Sequence, residues 1–191
     1  MVHGDIKPGN VVMFTKSSDS CDAVAKIIDF GYSCFGMEDD DMVRITGTPL
    51  WCAPENIGGD VSILDAKKMD MYSFALVCCW ILFFDTVSLN NEIGDRMEEL
   101  SIKEKPRKKM YRFIQRLKNA EKPEKLISEV ISQSAFLLKQ NTTPLQKLLT
   151  QALCKNPSGR LYDWSEFISV LTSLQGSKYE DASRLLSRLS C

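Results

Sequence analysis

Fourteen residues from Met71 to Phe84, bracketed by Asp70 and Asp85, carry no charge and little polarity. A segment that is apolar nearly all round belongs at the centre of a helical bundle rather than on its skin. It is shorter than the roughly twenty residues a membrane span needs. Amphipathic faces at helical spacing follow it: Met110, Phe113, Ile114 and Leu117, then Leu126, Ile127, Val130, Ile131, Leu137 and Leu138. Thr143-Pro144-Leu145-Gln146 reads as a helix start, with Thr143 as cap, Pro144 in the first turn and Gln146 reaching back. Leu145, Leu148, Leu149, Ala152 and Leu153 form the face behind it. Asp163-Trp164-Ser165-Glu166 opens another helix, backed by Phe167, Ile168 and Leu171. The spacing of Tyr179, Ala182, Leu185, Leu186 and Leu189 predicts a helical tail over 176–191, docked on the domain.

The fold class expected is therefore α+β and mainly α, because one β-hairpin precedes the helices. Val11 to Phe14 and Val24 to Ile28 are short β-branched runs, and the polar stretch between them is turn-prone. Antiparallel pairing of these runs places Asn10 and Asp29 at the same end of the hairpin. Residues 32–50 have no sustained period and read as an exposed loop. Its acidic run, Glu38 to Asp41, reads as solvated.

A chain of 191 residues fits one domain. With 24 basic and 25 acidic residues, net charge gives no argument for nucleic acid or for an anionic membrane as partner. The seven cysteines include no CxxC pair. They read as small buried apolar residues kept reduced, and an intracellular, cytoplasmic location is expected. The cluster Lys103 to Lys109 reads as the solvated entry to a helix.

Chemistry is concentrated at the start. His3-Gly4-Asp5-Ile6-Lys7-Pro8-Gly9-Asn10 sets one carboxylate, one ammonium and one amide within six residues. Asp29-Phe30-Gly31 follows the hairpin, and Gly47-Thr48-Pro49-Leu50-Trp51-Cys52-Ala53-Pro54-Glu55 comes next. In this order the three runs resemble the catalytic loop, the metal-binding loop and the end of the activation segment of a protein kinase. Lys7 followed by Pro8 looks like the serine/threonine class. The resemblance covers residues 2 to about 172, so a kinase domain portion over 1–175 is expected, with the tail beyond it.

The resemblance implies roles. Asp5 would be the base that orients a substrate hydroxyl, and Lys7 would contact the transferring phosphoryl group. Thr48 would hydrogen-bond Asp5 or Lys7. Asn10 and Asp29 would bind Mg2+, which favours hard oxygen ligands. Val12 would floor the adenine of ATP, backed by Val77 and Ile81. His3 and Phe30 would stack, with Gly31 completing the metal loop. Glu55 would pair with Arg160, and Asp70 would accept hydrogen bonds from the catalytic-loop backbone. The implied substrates are Ser/Thr hydroxyls of proteins.

Two departures matter. Gly4 stands where most of the family has Arg, the residue that holds the phosphate of a phosphorylated activation loop. Phosphorylation at Thr46 or Ser33 is accordingly expected to be dispensable. Within the 191 residues there is also no Gly-rich loop and no Val-Ala-Ile-Lys-type strand. A C-terminal-lobe portion without its N-lobe, inactive alone, is the expectation. The Met71–Phe84 helix would then show an uncovered apolar side, awaiting the other lobe or a partner. Two alternatives stand beside it: a non-catalytic kinase-like interaction module (a pseudokinase or scaffold), and a chain that does not fold stably.

Overall fold

In the computed structural model, residues 1–15, 23–89, 106–134, 137 and 141–173 are described. The tail over 176–191, Leu138, the 103–105 part of the basic cluster, Cys21 and Cys191 lie outside them. The elements run β1 (Val11–Thr15), β2 (Ala23–Ile27), β3 (Met42–Arg44), β4 (Asp60–Ser62), α1 (Ile63–Leu89), α2 (Pro106–Asn119), α3 (Pro123–Gln133), α4 (Thr143–Ala152) and α5 (Trp164–Ser173).

The hairpin forms as an antiparallel ribbon, with Val11 opposite Ile27 and Thr15 opposite Ala23. One step beyond the Val11–Ile27 pair, the Ile28 amide donates to the Asn10 carbonyl at 2.9 Å. Asn10 and Asp29 therefore flank the same open end of the hairpin, away from its connecting turn. The 32–50 segment is not wholly loop. It contains β3, which pairs antiparallel with β4, and Ile45 beyond β3 is buried. Three residues are too few for a period to show in sequence.

Helix α1 is longer than its apolar stretch suggests, at 27 residues. Length and composition alone would let it cross a membrane, so shortness does not mark it as a core helix. Burial does: fifteen of its residues are buried, and α2, α3 and α4 pack against it. Its start is held by the acidic loop. The carbonyls of Asp41 and Asp39 accept from the Ile63 and Leu64 amides at 2.9 and 3.0 Å. Ser62 Oγ accepts from the Asp65 amide at 3.1 Å. These bonds satisfy donors that a helix N-terminus leaves open.

The expected bare side of Met71–Phe84 is not found. No residue in that stretch is exposed; Phe74, Ile81, Leu82 and Phe84 are half-buried and the rest are buried. Aromatic rings fill the space: Tyr111 and Trp51 lie 4.8 and 5.5 Å from Trp80, and Phe167 lies 5.3 Å from Phe74. Exposed apolar surface sits instead on the hairpin and the loop after it, at Phe14, Ile28, Phe30, Tyr32 and Phe35. A two-stranded ribbon has no second layer to cover its outer face.

Two starts differ in detail. At α4 the cap position is Thr142, not Thr143, and no hydroxyl bond caps it. At α5 the Asp163 carboxylate accepts from the Ser165 amide and hydroxyl at 2.8 and 2.7 Å, as the sequence predicts. Of the five described cysteines only Cys78 and Cys79 are buried, and all five are free thiols. Burial pushes the Cys78 thiol up to about 12, which keeps it unreactive.

Candidate active site

The site is built outward from Asp70 on α1. Its two carboxylate oxygens accept from the His3 amide at 2.6 Å and the Gly4 amide at 3.0 Å. Burial raises the Asp70 pKa, and the two amide bonds offset this only in part. One buried side chain thus fixes the turn between His3 and Asp5.

Gly4 takes a left-handed backbone, φ 82°. A Cβ there would lie 2.6 Å from the Tyr32 carbonyl oxygen. The strand-like bridge between Val2 and Cys34 brings this carbonyl in: the Val2 amide donates to Cys34 at 2.9 Å and the Cys34 amide to Val2 at 3.0 Å. Glycine suits position 4 for both reasons, conformation and space. Gly4→Ala is expected to cost about 1–3 kcal/mol of stability. Urea unfolding checks this; a variant as stable as the parent would mean the backbone relaxes freely.

His3 ties the loop to the hairpin. Its Nδ1 accepts from the Asp5 amide at 3.2 Å, and its Nε2 lies 3.1 Å from the Ile28 carbonyl, to which it donates. Its ring is 5.0 Å from that of Phe30, tilted by 56°. Phe30 itself remains 51 % exposed.

Around Asp5, which is buried, the other site residues converge. Lys7 Nζ is 2.6 Å from Asp5 Oδ2 and donates to Thr48 Oγ1 at 2.9 Å. Thr48 gives Asp5 Oδ1 both its amide, at 2.9 Å, and its hydroxyl, at 2.7 Å. Asn10 Nδ2 donates to the Asp5 carbonyl at 2.9 Å and reaches Oδ2 at 3.3 Å. Burial raises the Asp5 pKa, but the bonds from Lys7 and Thr48 and the Lys7 charge outweigh it. The carboxyl is held below the usual carboxylate range.

Asp29 is exposed and left-handed, φ 66°, and accepts from the Gly31 amide at 3.4 Å. It is the one non-glycine residue with positive φ among those described. Asp tolerates this region better than most residues. With the Asn10 amide donating through Nδ2, its oxygen is left as an acceptor at the same end of the hairpin as the Asp29 carboxylate. Among the described residues no group of three His, Cys, Asp or Glu gathers for a metal. The chemistry of this pair suits Mg2+, which commonly takes one or two protein oxygens and completes its shell with phosphate and water. Val12 lies half-buried on β1, while Val77 is buried and Ile81 half-buried on α1.

The Glu55–Arg160 pair lies further out. Arg160 has a fully buried side chain, and Nη2 donates to Glu55 Oε2 at 2.9 Å while Nη1 bonds Oε1. Its guanidinium also stacks 4.9 Å over the Tyr72 ring. The stack is not evident in the sequence; Tyr72 carries only the signal of a core aromatic. Nor is the place of Lys118, which donates to the Pro49 carbonyl and reaches Cys52 Sγ at 3.5 Å.

Residues 1–169 match the family model for the protein kinase domain. The chain belongs to the protein kinase family. This kinase domain is 37% identical over 96 residues to the ovarian-specific serine/threonine-protein kinase Lok of Drosophila melanogaster, covering 49% of this chain and 19% of that protein. It is 36% identical over 74 residues to serine/threonine-protein kinase par-4 of Caenorhabditis briggsae, covering 37% of this chain and 10% of that protein. The serine/threonine-protein kinase ppk34 of Schizosaccharomyces pombe is 30% identical over 83 residues, 44% of this chain and 22% of that protein. The chain thus spans less than a quarter of each of these relatives. No solved structure matches.

Proposed function

We propose that this chain is the C-terminal-lobe portion of a protein serine/threonine kinase, transferring phosphoryl from Mg-ATP to Ser/Thr hydroxyls. The observation that carries the reading is the Asp5 carboxylate. It is buried, kept ionised, and held by Lys7 and Thr48 beside Asn10. Phosphoryl transfer asks mainly for positioning and charge neutralisation, and a fixed carboxylate orients the attacking hydroxyl. Lys7 offsets negative charge next to it. Asn10 and Asp29 would hold Mg2+, which when bound neutralises phosphate charge. The serine/threonine assignment rests on Lys7 bridging Asp5 and Thr48.

The exposed apolar residues of the hairpin, Phe14 and Ile28 among them, form the surface on which a nucleotide-binding half would sit. By themselves the 191 residues are expected to bind Mg-ATP no more tightly than about 1 mM, a free energy near −4 kcal/mol. Titration calorimetry reads this directly, and a micromolar Kd would overturn the reading of half a cleft. Joined to a nucleotide-binding half, the same residues should phosphorylate Ser/Thr peptides.

A further inference from the structure

A groove of about 390 Å³ runs along the loop that ends in Glu55. Its walls include Ile45, Gly47, Pro49, Cys52 and Pro54, and Lys118 closes one side. Among its lining residues Lys118 alone carries a formal charge. We infer that Lys118 makes this kinase select Ser/Thr substrates bearing an acidic side chain within three residues of the acceptor, a reading that rests on the activity proposed above.

Position comes first. The acceptor hydroxyl must reach the Asp5 carboxylate, which Thr48 touches at 2.7 Å. From Thr48 the loop winds tightly, with the Trp51 and Cys52 amides both donating to the Thr48 carbonyl, at 2.8 and 3.0 Å. The groove and the Lys118 ammonium therefore lie about one turn of chain from the base. An extended peptide advances roughly 3.3–3.6 Å per residue, so a side chain within three residues of the acceptor is long enough to reach the ammonium.

Charge comes second. An ammonium has three donors. Lys118 spends two on the Pro49 carbonyl and the Cys52 sulfur. It forms no ion pair with any described residue. Those two bonds also hold the amine over the groove instead of letting it trail in solvent, so less side-chain entropy is lost when a carboxylate arrives. A plainer role exists: a cation in the last turn of α2 suits the helix dipole, and the amine braces the loop. That role predicts no charge preference in substrates.

The test is phosphorylation of a peptide set by these residues joined to a nucleotide-binding half. Each peptide carries one acceptor Ser, with Asp, Ala or Lys stepped through the three positions on either side. The expected result is a three- to ten-fold higher kcat/KM for Asp over Ala at one or two positions, expressed in KM. Lys118→Arg should keep the preference, and Lys118→Glu should turn it toward Lys. Equal rates for Asp, Ala and Lys peptides would overturn the inference. So would an acidic preference that survives Lys118→Glu. If no peptide is phosphorylated at all, the kinase reading itself fails, a result distinct from turnover without charge preference.

Discussion

Glu55→Ala is expected to remove about 3–5 kcal/mol of stability, the cost of leaving a buried charge without its partner. The Arg160 side chain is fully buried while that of Glu55 is 22% exposed. Without Glu55 the guanidinium keeps only neutral acceptors: the carbonyls of Cys154 at 2.9 Å and of Lys68 and Lys155 at 3.3 Å each. Whole domains hold by about 5–15 kcal/mol, so this one change is expected to consume roughly a fifth of the total or more. Urea unfolding should show a lower midpoint with an unchanged slope. A loss under about 1 kcal/mol would mean that water reaches the guanidinium and the pair behaves as a surface bridge. Replacing both partners with apolar residues often rescues a buried pair. It should not rescue this one, because Arg160 also serves those three carbonyls, which join the turn after α4 to the start of α1. Lys68 lies two residues before Asp70, so the ion pair supports the same helix segment that fixes the turn at His3 and Gly4.

That connection is half visible in the sequence. The motif residues stand in an order that names their partners, and the hairpin places Asn10 and Asp29 together because antiparallel pairing leaves no other arrangement. Strong periodicity likewise exposes the central helix. What stays hidden depends on contacts between distant residues. Helix α1 begins eight residues before its apolar run because carbonyls in the acidic loop bind its first amides, and no local pattern announces that. Strand β3 is three residues long and its partner β4 lies well down the chain, so alternation could not be read. At α4 two adjacent threonines pose a one-residue choice that local chemistry does not decide. Gly4 shows the limit most plainly. In the sequence it is a missing arginine; in the structure it is also a close approach, opposed by the Tyr32 carbonyl. A backbone contact of this kind leaves no mark on composition or spacing.

Asp5→Asn is expected to lower kcat by about 10²–10⁴-fold, the range for losing a positioned general base, in a chain that includes a nucleotide-binding half. An amide cannot take the hydroxyl proton. It also disturbs the groups around it. The amide has one oxygen where the carboxylate has two, so if that oxygen keeps the two Thr48 bonds, the new NH2 faces the Lys7 ammonium that now lies 2.6 Å from Oδ2. Lost chemistry and lost order can be told apart by pH. The Asp5 pKa is depressed in the folded chain, so its ionised form stabilises folding above the ordinary carboxylate value of about 4, and that contribution disappears as pH falls through the lower folded value. Wild type and Asp5→Asn should therefore differ in unfolding free energy at about pH 7 and converge well below about pH 4. The rate deficit at neutral pH should remain even where added osmolyte restores the stability of the variant. In the wild-type pH–rate profile, the Asp5 titration itself should place any acid limb of kcat/KM below about pH 4. A variant that keeps kcat within about ten-fold of the parent would remove Asp5 from the chemistry and leave it a structural anchor for Lys7 and Thr48.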